Sequence, residues 1–246
     1  MGLAFEDALM VSGKRFRWML AGARSRRLRY LRIPKHGFAV FMMQIGLLLA
    51  APLLDTGERL TPGAFAILSQ AIAVATIRLL GYRRVARIVG LIAIFALGWA
   101  AIHVITLETV RLPPTLVLIS TYAAGAYLCV LHAFMAGVDS KQRIYCGCAG
   151  FLMLGMMFAA GHAVAHVALG ATYALPVEVE GLRSTRWIDF VWLSYATLTT
   201  AGYSDLVPVG GLPLMLCTLE GLCGILYPAT LIARIASLPT EPDVPA

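Results

Sequence analysis

The run TLTTAGYSDLVP, Thr197 to Pro208, places four hydroxyl side chains, a glycine, a tyrosine and an acid between two apolar segments. Thr197, Thr199, Thr200 and Ser204 carry side-chain oxygens, and every residue of the run adds a backbone carbonyl. Oxygen ligands in a closely spaced row can replace the water shell of a bare cation. Carbonyls of an extended chain all face one way only if alternate residues take positive φ, where glycine is tolerated best. Gly202 fits such a position, and the Thr200 hydroxyl adds one more oxygen. Tyr203 can brace the strand from behind. Asp205 at its mouth would concentrate cations.

Other groups in the same half of the chain could do chemistry. His162 and His166, from GHAVAH, share a helix face at i and i+4. One reading makes them a proton or metal sensor, with Glu178 and Glu180 able to complete a site. The other makes them hydrogen-bonded structural groups, and this is the favoured expectation. His103 and His132 are isolated and read as structural. Glu220 lies inside an apolar run, where a carboxylate is costly and functional by default. It faces either a cavity, where it would attract cations, or backwards, where it would tie its helix to a neighbouring subunit; the backward reading is preferred. Pro228 removes an i→i−4 hydrogen bond and is expected to kink its helix one turn beyond Gly224. Asp189 stands where a carboxylate stabilises the positive end of a helix. Cys146 and Cys148 form a C-x-C pair without evident metal partners, and Cys129, Cys217 and Cys223 sit in apolar runs, so all five cysteines read as packing residues.

These residues must be positioned by apolar elements. Hydrophobic residues make up 59% of the 246 residues and charged residues 13%, against about 45–50% and about 25% in soluble domains. The chain therefore reads as an all-α integral membrane protein. A span needs about 20 mostly apolar residues. Six segments are expected to cross, near residues 38–54, 62–80, 88–107, 114–135, 144–169 and 212–238. Pro62 suits a first helical turn. Between the last two spans, residues 170–211 form an unusually long connection. Within it, RWIDFVWLSYATLTT is helical in pattern but too short to cross, with Trp187, Phe190, Val191, Ser194 and Tyr195 at helical spacing. A short helix, then extended residues returning to the same side, is a re-entrant loop. At membrane depth such backbone must be buried in protein or line water.

The net charge of +7 is a topology signal rather than a nucleic-acid one. With the N-terminus in the cytoplasm, 16 of the 20 Lys and Arg fall inside, as the positive-inside rule requires. Both termini are then cytoplasmic in the cell (inner) membrane. Residues 1–36 interleave nine cations with Phe16, Trp18, Met19, Leu20, Leu28, Tyr30 and Leu31. They read either as an amphipathic helix on anionic lipid or as a plain topology determinant. The N-terminus shows no cleavable signal, and Glu6 replaces the Ser or Thr of a myristoylation site. The Pro-rich residues 239–246 read as a short tail.

With these residues in place, 187–236 resemble the pore module of tetrameric potassium-channel-like proteins, six-span and prokaryotic in type. Thr197, Leu198, Thr199, Thr200, Ala201, Gly202, Tyr203, Ser204 and Asp205 align without gaps to that family's filter stretch. The resemblance implies a homotetramer with a four-helix, sensor-like domain at 37–136 and a pore domain at 137–238. It implies a conducted potassium ion held by the carbonyls of Thr200, Ala201, Gly202 and Tyr203 and by the Thr200 hydroxyl, with Ser204 at the outermost site. Trp192, Thr197 and Thr199 would support the filter, with Trp192 packing behind it, and Gly224 would be a hinge glycine that, with Pro228, forms a gate. No organic cofactor, enzymatic role or nucleic-acid partner is implied.

The chain departs from the family pattern at three points. Ser204 replaces the second filter glycine; in a left-handed backbone it would cost about 1–2 kcal/mol per subunit, so either the local structure holds that strain or the outermost carbonyl turns and one ion site is altered, which bears on potassium selectivity. Ala201 replaces a larger Val or Ile. The fourth span carries no arginine, so voltage gating should be weak or absent, and the short tail leaves no room for a ligand-binding domain. Potassium is the favoured ion, with a weakly selective or sodium-permeable pore as the alternative. A secondary transporter would show internal repeats and two interrupted segments; one interrupted segment and no repeat are evident. An intramembrane metallohydrolase would want H-E-x-x-H, which GHAVAH lacks. A non-conducting accessory subunit remains a further reading.

Overall fold

A computed structural model describes residues 36–54, 61–104, 112–135, 138–176 and 185–237. The chain divides into two units, of which the second is Pro34–Ala246. The expected N-terminal lipid segment, Glu178, Glu180 and the C-terminal tail lie outside the described residues.

Within the second unit the order is α1 (Gly37–Leu54), α2 (Thr61–Leu79), α3 (Arg83–Val104), α4 (Leu112–Phe134) and α5 (Ser140–Leu169), followed by β1 (Thr172–Ala174), α6 (Trp187–Leu198), β2 (Val207–Val209) and α7 (Gly211–Ala236). Among the described residues, three helices are long and apolar enough to cross a membrane: Pro114–Phe134, Ser140–Leu169 and Gly211–Ala236. Gly37–Leu53 and Phe65–Leu79 are shorter apolar helices. Arg78, Arg83, Arg84 and Arg87 are exposed around the α2–α3 turn, which is no place for charges crossing the bilayer.

Helix α5 is the spine, packing against α1, α4, α6 and α7. Lipid tails are as apolar as leucine, so close backbone approach and hydrogen bonds, not hydrophobicity, hold such helices together. Small residues on α5 allow that approach. A Cβ at Gly155 would lie 2.5 Å from Tyr195 Cε1, and one at Gly150 2.6 Å from the Tyr227 hydroxyl oxygen. Both tyrosines then donate to α5 carbonyls: Tyr195 to Leu152 O at 2.5 Å and Tyr227 to Gly147 O at 2.7 Å. The pore-loop helix α6 and the last helix α7 are thus keyed into notches on the same helix.

Helices α1, α2 and α4 are joined by neutral polar bonds. Gln44 Nε2 donates to Thr76 Oγ1 at 3.2 Å, and Gln70 Nε2 to Thr121 Oγ1 at 2.9 Å. Tyr122 OH, fully buried, donates to Ser69 O at 3.0 Å. Helix α4 is fastened to α2 by these groups.

The long connection folds as expected at its centre and differently at its edges. Helix α5 ends at Gly170, whose φ of 65° lets the chain reverse, with the Ala171 N–H donating to Ala165 O at 3.0 Å. The chain then forms β1, antiparallel to β2 with Tyr173 opposite Pro208. The strand after the oxygen-rich turn is therefore pinned to the end of α5, a pairing the sequence reading did not foresee.

Candidate functional site

The site starts at the C-terminus of α6. Asp189 Oδ2 accepts the Arg186 N–H at 2.7 Å, fixing the start of that helix, as expected for an acid at a helix N-terminus. The last turn tightens: Thr199 N donates to Tyr195 O at 3.0 Å, Thr200 N to Thr197 O at 3.0 Å and Gly202 N to Ala196 O at 3.1 Å. The Thr199 hydroxyl donates to Tyr195 O and the Thr200 hydroxyl to Thr199 O, each at 2.6 Å. From Thr199 to Tyr203 the chain is exposed.

Positive φ occurs at alternate residues, 58° at Thr200 and 72° at Gly202. This is the alternation that aims successive carbonyls to one side. Gly202 is where it was expected, and Thr200 accepts a left-handed conformation that costs a non-glycine residue about 1–2 kcal/mol. Ser204 is not among the positive-φ residues, so the cost of a left-handed serine does not arise there. It occupies an ordinary conformation, and its Oγ accepts the Leu206 N–H at 3.2 Å. The left-handed non-glycine position falls four residues earlier, at Thr200, where the threonine hydroxyl donates to the Thr199 carbonyl.

Trp192 and Tyr203 do not pack within the chain as supports. They are 41% and 76% exposed. Asp205 is exposed beyond Tyr203, and Thr197 is half-buried at the foot of the run.

Behind α6 lies a buried polar cluster. Glu220 on α7 and His162 on α5 are each 0% exposed, with His162 Nε2 3.1 Å from Glu220 Oε2. Glu220 Oε1 is in hydrogen-bond contact with Ser194 Oγ on α6. That hydroxyl also donates to Gly155 O at 2.6 Å. His162 Nδ1 is 2.8 Å from Tyr173 OH on β1. Burial pushes the Tyr173 phenol well above its ordinary range, with Cys217 and Glu220 adding to the effect. Glu220 thus faces backwards, as preferred, but the sequence reading placed its partner in another subunit and the partners are in its own. His166 is bonded separately, with Nδ1 2.9 Å from Ala171 O. Glu220 joins His162 rather than joining both histidines in one site, and among the described residues no His, Cys, Asp or Glu cluster fits a metal ion.

Gly224 lies at a close backbone approach that the sequence did not show. It is buried, and a Cβ there would lie 1.9 Å from Leu198 O. It is the point where α7 touches the end of α6, and α7 continues as helix through Pro228. Ser194, Tyr173 and Tyr195 were missed as site residues. A serine on the buried face of a short helix was a signal for Ser194; nothing local pointed to Tyr173, whose role depends on strand pairing.

The arrangement is that of a helical membrane protein with a short non-crossing helix and an exposed oxygen-lined turn. A protein-family model described as Ion channel matches residues 152–241. This segment is similar to an ion-channel family, in line with the pore-loop resemblance read from the sequence. Comparison with curated proteins and with solved structures gives no match.

Proposed function

We propose that the chain is the subunit of a homotetrameric cation channel that conducts potassium passively through the TTAGYSD turn. The observation that carries this reading is the exposed, non-helical backbone of Thr199–Tyr203. Irregular backbone at membrane depth cannot face lipid and must border protein or water. Four copies around an axis would give it both. The carbonyls of Thr200, Ala201, Gly202 and Tyr203 and the Thr200 hydroxyl would be the ion ligands, with Asp205 at the mouth. The exposed Trp192 and Tyr203 would then meet across subunits.

Helix α7 supports the same reading: only 17% of its apolar window is buried within the chain, against 50% for α5. Part of that face would line the pore and part would meet neighbouring subunits. The six-span layout, cytoplasmic termini in the cell membrane, and the division into a sensor-like domain (37–136) and a pore domain (137–238) belong to this reading, as does contact of residues 1–36 with anionic lipid. Ser204 outside the left-handed region supports an altered outermost site, which keeps weak selectivity as the second reading.

Purified protein in proteoliposomes tests it. Potassium flux blocked by barium and abolished by Gly202→Asp is the expected result. Saturable, ligand-coupled exchange would point to a transporter instead. A reversal potential in mixed potassium and sodium separates the selective pore from the weakly selective one.

A further inference from the structure

The cluster behind α6 admits a proton count. Ser194 Oγ is within hydrogen-bond contact of two oxygens, Gly155 O and Glu220 Oε1. A serine hydroxyl has one hydrogen. If Glu220 were ionised, both neighbours would be acceptors and one contact would be left without a proton. If Glu220 carries a proton on Oε1, it donates to Ser194 Oγ, and Ser194 donates onward to Gly155 O. The remaining contacts then fall into line. Glu220 Oε2 accepts from His162 Nε2–H at 3.1 Å, and His162 Nδ1 accepts from Tyr173 O–H at 2.8 Å. Four hydrogens serve four contacts in one direction, from Tyr173 to Gly155.

We propose that Glu220 is a positioning residue for the filter, held as a neutral carboxylic acid at the centre of this one-way hydrogen-bond chain. Two further observations support it. Glu220 and His162 are both 0% exposed, and an uncharged chain avoids the large cost of burying ions away from water. Tyr173 keeps its proton, since burial raises its phenol, and so it is a donor to Nδ1. Cys217 Sγ, 4.0 Å from His162 Nε2, is too distant to compete strongly.

What the chain positions follows from the elements it joins. Ser194 lies on α6, whose last turn leads into Thr200. Tyr173 lies on β1, paired with β2 just beyond the filter. One acid on α7 therefore holds the oxygen-lined run at both ends. This role rests on the channel reading, whereas the protonation state does not.

Glu220→Gln and Glu220→Ala test it. A glutamine amide donates to Ser194 Oγ and accepts from His162 Nε2–H, so it reproduces the neutral acid. Glu220→Gln is expected to keep potassium flux and the tetramer's dissociation temperature close to wild type. Glu220→Ala leaves buried groups unpaired and is expected to lower flux about tenfold or more. If Glu220→Gln loses as much as Glu220→Ala, the neutral chain is wrong. Infrared difference spectroscopy of wild type minus Glu220→Gln gives an independent readout. A deuterium-sensitive carboxylic-acid carbonyl band at neutral pH is expected; a carboxylate band in its place overturns the proposal. If wild type carries no flux, the channel reading fails, while the infrared band still decides the state of Glu220.

Discussion

Replacing Gly224 with alanine should disturb the filter itself, not the bending of α7. The added Cβ would sit 1.9 Å from Leu198 O, 2.8 Å from Leu198 C and 3.2 Å from Leu198 Cα. Real Cβ contacts essentially never fall under 3.0 Å, and the obstacle is backbone rather than the end of a flexible side chain. One helix must therefore move by about an ångström, at the roughly 1–3 kcal/mol that overpacking costs. The movement cannot stay local. Leu198 ends α6, and Thr200 and Gly202 are bonded back to Thr197 and Ala196, so displacing it displaces the residues assigned to the ion. In an assembly of four, the cost recurs in each subunit. The assay is thermal dissociation of the purified oligomer together with the potassium-to-sodium reversal potential. Gly161→Ala, where an added Cβ meets nothing within 4 Å, serves as the control and should be near neutral or slightly stabilising. Gly224→Ala is expected to lower the dissociation temperature and to reduce selectivity. If it leaves both unchanged and alters only the fraction of time the pore is open, Gly224 is a hinge and the contact argument is wrong.

Other outcomes follow from the same geometry. Ser204→Gly should relieve no strain, because position 204 is not left-handed; a loss of about 0.5–1 kcal/mol from added chain entropy is expected in chemical denaturation, and a gain would contradict it. Tyr195→Phe removes a donor to Leu152 O from the α6–α5 contact; it should cost about 0.6–1.7 kcal/mol, read as a lower melting temperature with the oligomer retained. Current–voltage curves in symmetric potassium should lack a steep voltage-dependent conductance, because α4 carries no Lys or Arg and each gating charge supplies only about 2.3 kcal/mol per 100 mV; a sigmoid conductance curve would show charges moving elsewhere.

Much of the fold could be read from composition and segment length. The expected apolar segments overlap the described helices closely, from Gly37–Leu54 to Gly211–Ala236, because a bilayer-length apolar run has few alternatives to a helix. The short helix Trp187–Leu198 was legible for the same reason, being apolar yet only 12 residues long. The β1–β2 pairing was not legible, since three-residue strands leave almost no periodic trace and their register depends on where α5 and α7 place them. Gly224 was read as a hinge because a glycine in a helix looks the same whether it bends or is approached. The close approach of Leu198 O is visible only in the structure.

The amino-acid sequence alone determined that this protein has a membrane-helical architecture, that its oxygen-rich turn follows a non-crossing helix, and that the turn contains a glycine at a position of positive φ. These are properties of local composition and chain chemistry. Tertiary structure decided that Thr200, not Ser204, takes the second left-handed position, that Glu220 answers to His162 and Ser194 of its own subunit, and that Tyr173 reaches the cluster from the far side of the loop. Those outcomes depend on which atoms of distant segments come within about 3 Å of one another, and no local pattern encodes that distance.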